Sequence, residues 1–336
     1  MTYPAARSCP ARIESLAFYL PGDPVSVDSL EISDDMRSKL PGTGQEFTYI
    51  ADEDSTEMSV AAARNALERA DLSASDIGLV ISAPTLTTSY GLEIPAIALR
   101  AALGLENAEC LNLAQGCVGF LAGIRLAAGF LAADDGPGHV LVVTACKAST
   151  LMDSYNHGSF FWADAAAATV LSAVDGPGLH VRAYAENSSD RDWGAMRFRH
   201  GDGQTYKNAS PDDDLKLVVD FHDERAQMEY ILGEQKRCEG LIAALMDSGG
   251  LGDNDIDAIF MPSIGANRVP HLLQTRKSLR AKVKSDFRYA HMGGVDALFF
   301  LDCHFKSDPP GNTANYLAMT PAYTAQWGGL LLQAKV

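Results

Sequence analysis

Two short segments carry side chains able to do covalent chemistry together. QGCVGFLAGI (115–124) holds Cys117, and YAHMGGVDAL (289–298) holds His291. A thiol attacks as its thiolate, and an imidazole is the side chain best suited to take and return that proton near neutral pH. Cys117 stands where a long apolar helix is expected to begin, and the partial positive charge of a helix N-terminus favours a thiolate there. The bland alternatives are a core cysteine and an ordinary loop histidine. The other five cysteines, Cys9, Cys110, Cys146, Cys238 and Cys303, are scattered, and no CxxC pair gives zinc-site spacing, so no metal is expected.

An internal repeat would bring the two segments face to face. ALERADLSASDIGLVISAP (66–84) is similar to ALMDSGGLGDNDIDAIFMP (244–262). The Cys117 segment lies over the His291 segment, and HVLVVTAC (139–146) over NYLAMTPA (315–322). Three segments recurring in order predict two similar halves, 1–175 and 176–336, related by a pseudo-dyad. Cys117 of the first half then opposes His291 of the second, each at or just before the start of a helix.

The elements that would position them are those of an α/β protein. Arg12–Tyr19 reads as a strand, ended by Pro21, Gly22 and Pro24. Val60, Ala63, Leu67 and Ala70 share one helical face. Ile77–Ala83 and Val140–Thr144 read as buried strands, Ile94–Leu103 and Gly116–Ala132 as helices, and Cys110–Leu113 and Val170–Ser172 as further strands. Strands alternating with helices predict largely parallel sheets. Glu186–Glu224 is polar and predicts loops, an insertion between the matched parts.

With 336 residues and 47% hydrophobic content the chain can bury a large core, and its net charge of −16 shows no basic face for nucleic acid. The N-terminal residues lack the apolar run of a signal peptide, and the apolar stretch 120–133 is interrupted by Arg125 and too short to span a bilayer. A cytoplasmic protein without membrane or nucleic-acid partners is expected.

Four segments together resemble a known family. NLAQGCVGFLAGIRLAAGFLAA (112–133) resembles the nucleophile segment of ketoacyl synthase III, and SAPTLTTSYGLEIPAIALRAALGL (82–105) the segment upstream, which in the family crosses a dimer interface. FFWADAAAATVL (160–171) resembles the Gly-Asp-Gly-Ala strand entry, with Asp164 at the Asp position, and QWGG (326–329) the closing Trp-Gly. The resemblance implies the thiolase fold: two pseudo-symmetric halves in a five-layer αβαβα arrangement, assembled as a homodimer. It implies an acyl-enzyme on Cys117, formed from an acyl-CoA or acyl-carrier-protein thioester with no bound cofactor. It further implies an oxyanion hole from the backbone N–H of Cys117 and one near Tyr323. Arg268, Asn267, His157 and Tyr90 are candidate substrate-binding positions, Arg268 near the CoA phosphates and Tyr90 reaching the partner's acyl pocket.

The sequence departs from the common family pattern at the second and third catalytic positions. Where the family has Pro-His-Gln-Ala-Asn, this chain reads MPSIGANRV (261–269), with Ser263 or Ile264 in place of the histidine, and His291 takes the family's Asn position. Loss of one oxyanion donor costs a typical enzyme about 100- to 1,000-fold, which puts decarboxylative condensation in question. The chain is closer to the acyltransferase and starter-unit branch, represented by cervimycin acyltransferase and daunorubicin starter synthase. The pattern there implies a triad of Cys117, His291 and Asp296. Five residues is no same-face spacing on a helix, so the pair requires His291 to lie outside the helix that Asp296 begins. The expected function is transfer of the acyl group to an O, N or S acceptor, a natural-product hydroxyl or a carrier protein, in secondary metabolism. The alternatives are a condensing starter-unit synthase and a non-catalytic partner subunit. A carrier protein is acidic, and Arg276–Lys284 is the basic stretch available to it.

Overall fold

The computed structural model describes residues 5–31, 34, 38, 42–86, 93–149, 160–173, 176–189, 196–199, 216–219, 224–322 and 326–335. In chain order the strands and helices are β1 (Arg7–Tyr19), β2 (Val25–Ser26), β3 (Phe47–Thr48), α1 (Ser55–Arg69), β4 (Ile77–Ser82), α2 (Pro95–Leu103), β5 (Glu109–Asn112), α3 (Gly119–Leu131), β6 (His139–Cys146), β7 (Ala165–Ser172) and β8 (Gly178–Ser188). They continue with β9 (Met196–Arg199), β10 (Lys216–Val219), α4 (Glu224–Gly249), β11 (Ala258–Phe260), α5 (Val269–Leu272), α6 (Lys277–Arg280), α7 (Asp296–Ser307), β12 (Asn315–Ala322) and β13 (Gln326–Lys335).

Nine strands join in the order β11-β12-β13-β8-β1-β7-β6-β4-β5. The outer pairs β4–β5, β4–β6 and β11–β12 are parallel, whereas β6–β7, β7–β1, β1–β8, β8–β13 and β13–β12 are antiparallel. The sheet is therefore mixed rather than largely parallel. Helical crossovers occur only at its two ends, and the middle is built without them. An isolated parallel bridge, Ile259 to Val283, extends the β11 edge. Two parallel pairs at the β5 end and one at the β11 end give way to an antiparallel run that meets at β1 and β8.

Period-two alternation divides the strand side chains among three apolar layers. Val140 and Val142 of β6 face a central cluster with Phe120, Leu121 and Ile124 of α3, and Ala297–Leu301 of α7 enter the same cluster. Leu141 and Val143 of the same strand face Met58, Ala62 and Ala66 of α1 and Leu99 of α2. On the other side, Tyr316 and Ala318 of β12 face the central cluster, while Leu317 and Met319 face Leu241, Ile242 and Leu245 of α4. Helices α3 and α7 thus lie between strands on both sides, with α1 and α2 outside one set and α4 outside the other.

Local chemistry sets the helix ends. Asp54 accepts the Thr56 and Glu57 N–H groups while Glu57 accepts the Asp54 N–H, a reciprocal cap that starts α1 at Ser55. Helix α2 begins on Pro95 and ends on Gly104, which takes the left-handed conformation at φ 67°. Strand β1 starts at Arg7, earlier than its clean alternation suggests. Pro10 lies where the β1–β8 register shifts, between Ser8 and Ala11, a place where a missing N–H is tolerated. The segment expected as loops after Glu186 holds the end of β8 and an antiparallel β9–β10 pair.

Helix α3 comes close to β6 because Gly123 has no side chain: a Cβ there would lie 2.7 Å from Val142 Cγ1. Gly123→Ala gains up to about 1 kcal/mol of helix propensity but forces a stiff β-branched neighbour aside, at about 1–3 kcal/mol. The expected outcome is a lower urea midpoint at unchanged slope.

Candidate active site

Cys117 sits on a single 3₁₀ turn, Gly116–Val118, that runs directly into α3. Gly116 has φ 53°, a conformation glycine adopts freely, and the site a Cβ would take lies 3.6 Å from Ala322 Cβ. The thiol is therefore held at the head of a buried helix whose first N–H groups lack intrahelical partners. Cys117 is only 2% exposed.

His291 is held by its own backbone. Its N–H donates to Phe161 O at 2.7 Å and its carbonyl accepts the Ala163 N–H at 2.8 Å, a parallel bridge centred on Trp162. The preceding Ala290 N–H donates to Phe47 O at 2.7 Å. The 160–164 segment that receives His291 is fixed in turn by Asp164. That buried carboxylate accepts the Ala51 N–H, the Ser149 N–H and hydroxyl, and Lys147 Nζ at 3.1 Å.

Asp296 opens α7, and its side chain folds back over the turn before it. Oδ1 accepts the Met292 N–H at 2.8 Å; Oδ2 accepts the Ser263 N–H at 2.7 Å and the His291 Nδ1–H at 2.5 Å. His291 lies outside the helix, so a five-residue spacing closes a hydrogen bond that a regular helix would not. With Nδ1 engaged, Nε2 faces Cys117 Sγ at 3.6 Å. Thiol, imidazole and carboxylate form one chain of contacts, and His291 and Asp296 are 1% and 0% exposed.

Close packing brings the two turns together. A Cβ on Gly294 would lie 2.9 Å from the Cys117 carbonyl oxygen, and one on Gly293, at φ 64°, would lie 2.5 Å from Thr85 Cγ2. The Gly294 N–H donates to Thr85 Oγ1 at 2.9 Å. The first residues of β13 close another side: Gly328 leaves room for Val118, whose Cγ1 would lie 2.5 Å from a Cβ there. Gln326 joins Gln115 at 2.8 Å and Glu186 at 2.7 Å.

Aromatic rings wall the imidazole. Trp162 lies with its ring centroid 4.6 Å away, and Phe160 meets the imidazole edge-on at 5.4 Å. Burial disfavours a charged imidazole, but the Asp296 charge and hydrogen bond, with the Cys117 contact, outweigh it and push His291 up to about 10. Beside the thiol, burial holds the neighbouring Cys146 thiol well above its usual range, with the Cys117, Asp164 and Asp296 charges acting in the same direction.

Of the remaining candidates, Arg268 and Asn267 are among the described residues. Arg268, at the end of the turn Ala266–Arg268, is half-buried and ion-paired with Glu234 of α4, so its charge is already matched. Asn267 is exposed on the same turn. Among the described residues no hydrogen bond or ion pair joins either to Cys117, His291 or Asp296. Tyr323, His157 and Tyr90 lie outside the described residues. In the basic stretch, Arg276 pairs with Asp253 at 2.8 Å, and Arg280 and Lys282 donate to backbone carbonyls. A polar surface cleft of about 680 Å³ near Asp255, Asp257, His304 and Asp308 contains none of the triad. Among the described residues no group of three or more His, Cys, Asp or Glu could hold a metal ion, and no helix is long and apolar enough to cross a membrane.

Residues 111–189 match the family model of 3-oxoacyl-[acyl-carrier-protein (ACP)] synthase III. The chain is 29% identical over 166 residues, 48% of its length, to a beta-ketoacyl-[acyl-carrier-protein] synthase III of Helicobacter pylori. It spans about half (50%) of that relative's length. Among solved structures, a 3-oxoacyl-(acyl-carrier protein) synthase from Burkholderia xenovorans superposes with a TM-score of 0.84 at 17% identity, covering 99% of this chain and 97% of that one. ChlB3, an acyltransferase, superposes with a TM-score of 0.82 at 19% identity, covering 97% and 98%. The fold is that of the thiolases.

The His291 shift fixes a pH prediction. A protonated imidazole beside Sγ favours the thiolate, and that proton is retained until pH approaches about 10. The stabilisation from this raised value is complete below the ordinary 6.5 and is lost as pH rises through about 10. In Asp296→Asn the opposing charge is gone and burial prevails, so His291 falls. Iodoacetamide alkylation of Cys117 at pH 7 is expected to slow by about tenfold, the factor for one pKa unit. Rates measured from pH 5 to 10 in both proteins check this; superimposable profiles would contradict it.

Proposed function

Taking the chain as a ketoacyl synthase III-like protein of the thiolase fold, which the match over residues 111–189 and the named relatives support, we propose that it is an acyltransferase working through Cys117, His291 and Asp296. The donor is an acyl-CoA or an acyl-carrier-protein thioester. The acceptor is an oxygen, nitrogen or sulfur nucleophile, a natural-product hydroxyl or a carrier-protein thiol.

The Cys117 thiolate attacks the thioester carbonyl. The carbon–sulfur bond to the pantetheine breaks, and the departing thiolate takes the proton from His291. An acyl-Cys117 thioester and a neutral His291 remain. The acceptor's O–H, N–H or S–H gives its proton to His291 Nε2 as its heteroatom attacks the acyl carbon, and the Cys117 thiolate leaves beside a recharged imidazolium. Asp296 holds Nδ1–H throughout and so keeps Nε2 aimed at sulfur and acceptor. Backbone N–H groups at the Cys117 turn, with one from the loop before Trp327, receive the developing oxyanion. The exchange balances without a metal or redox cofactor. A homodimer is part of this reading, by analogy with the family.

The observation that carries the proposal is His291 Nε2 at 3.6 Å from Cys117 Sγ with Nδ1 bound to the Asp296 carboxylate. That is a base with its orienting group, where a condensing enzyme of the common pattern places a neutral amide. Ser263, standing near the family's histidine, has its N–H on Asp296 and its hydroxyl on the Tyr289 carbonyl. It offers no second imidazole to an enolate.

Condensation is the second reading, favoured by the synthase name of the Helicobacter relative and by the raised His291, whose Nε2–H can itself donate to an enolate oxygen. Intact-protein mass after exposure to a panel of acyl-CoAs is expected to show one acyl adduct, lost in Cys117→Ala. With a hydroxyl acceptor the adduct should be discharged. Carbon dioxide release with malonyl-carrier protein would instead favour condensation, and no adduct with any donor would favour a non-catalytic subunit.

A further inference from the structure

Gln45 lies next to β3 and far in sequence from all three triad residues, yet its side chain is bonded to the backbone on which two of them rest. It is 4% exposed. Its carbonyl Oε1 accepts the Phe161 N–H at 2.7 Å. Its Nε2 donates to Ser263 O at 2.8 Å and reaches Phe161 O at 3.3 Å and Tyr289 O at 3.5 Å.

Each of these groups is one bond or two residues from the His–Asp pair. Phe161 O, which Gln45 approaches, also accepts the His291 N–H at 2.7 Å. Ser263, whose carbonyl Gln45 holds, gives its N–H to Asp296 Oδ2 at 2.7 Å. Tyr289, two residues before His291, accepts the Ser263 hydroxyl. Gln45 is itself anchored, since the Glu46 and Phe47 N–H groups both donate to Arg288 O and the Gln45 N–H donates to Thr43 Oγ1 at 3.2 Å. One primary amide thus ties together three chain segments: the one bearing Trp162, the one bearing the donor to Asp296, and the one bearing His291.

An amide suits this place because it offers a donor pair and an acceptor on one rigid plane. A carboxylate would lack the donors, and an apolar side chain would leave the Phe161 N–H and the Ser263 carbonyl buried without these bonds, which is costly for a buried polar group. The backbone relieves that cost by shifting. Such a shift moves Phe161 O and Ser263 N–H, the groups that set where His291 and Asp296 lie.

We propose that Gln45 is a positioning residue for the triad, locking the His291–Asp296 pair in register with Cys117 through Phe161 and Ser263. It touches no reacting atom. This inference rests on the reading of Cys117 and His291 as coupled partners.

The test is the pH profile of Cys117 alkylation by iodoacetamide, well below the thermal midpoint of each protein, in wild type, Gln45→Leu, Gln45→Glu and His291→Asn. Gln45→Leu is expected to react about tenfold more slowly at pH 7, with its profile displaced towards that of His291→Asn, as for loss of one pKa unit of coupling. In Gln45→Glu the rate relative to wild type should recover as pH falls, because the protonated carboxyl again donates to Ser263 O while accepting from Phe161. A Gln45→Leu protein with a lower thermal midpoint and an unaltered profile shows a purely structural role and overturns the proposal. So does Gln45→Glu without recovery at low pH, which decides alone if Gln45→Leu fails to fold. If His291→Asn also matches wild type, the coupling of Cys117 to His291 fails, and Gln45 has no triad to position.

Discussion

A buried carboxylate at the head of α7 holds the site together. Asp296 has no solvent contact, and an unpaired charge in such a place is costly. Three N–H donors converge on its two oxygens: Met292 from the turn, Ser263 from the β11 end, and His291 Nδ1. The N-terminal end of a buried helix adds a favourable field. Each partner is thereby drawn to a fixed point, and the orientation of the imidazole follows from a requirement that the fold must meet in any case.

That fixed point matters only because two turns approach within van der Waals contact. Gly293 and Gly294 admit Thr85 and the Cys117 carbonyl where any Cβ would collide. The thiol turn opens α3 and the carboxylate opens α7, and both helices belong to the central apolar layer. Both helix starts reach the same imidazole, which lies between the Cys117 sulfur and the Asp296 carboxylate. The three groups form one chain of contacts, so effects of substitutions among them should be far from additive.

Much of this arrangement was legible in the residues. The repeat aligns the Cys117 segment with the His291 segment, and a five-residue spacing between His291 and Asp296 needs a histidine outside the helix, where it lies. Other parts leave no local trace. Gln45 reaches its partners across separations of 116, 218 and 244 residues, so neither periodicity nor spacing can announce it. Trp162 resembles any core aromatic until the backbone bridge to His291 is known. The antiparallel middle of the sheet was also hidden: β7 and β13 are buried almost throughout, as parallel strands are, and only pairing distinguishes them. Pro10 obscured the start of β1, since a proline that argues against a strand is accommodated at a register shift.

The chemistry available to a triad depends on which atoms are already committed. In the common condensing arrangement two neutral donors wait for an enolate. Here the position that would supply one is Ser263, whose N–H and hydroxyl are both spent on fixing Asp296 and Tyr289. The donor that remains, His291 Nε2, lies against the thiol. A group that must deprotonate a nucleophile and then an acceptor needs a carboxylate behind it, and a group that only stabilises an oxyanion does not. The commitment of Ser263 to Asp296, rather than to a substrate, is consistent with a site that exchanges acyl groups by proton transfer, and it ties that chemistry to the same carboxylate on which the local packing depends.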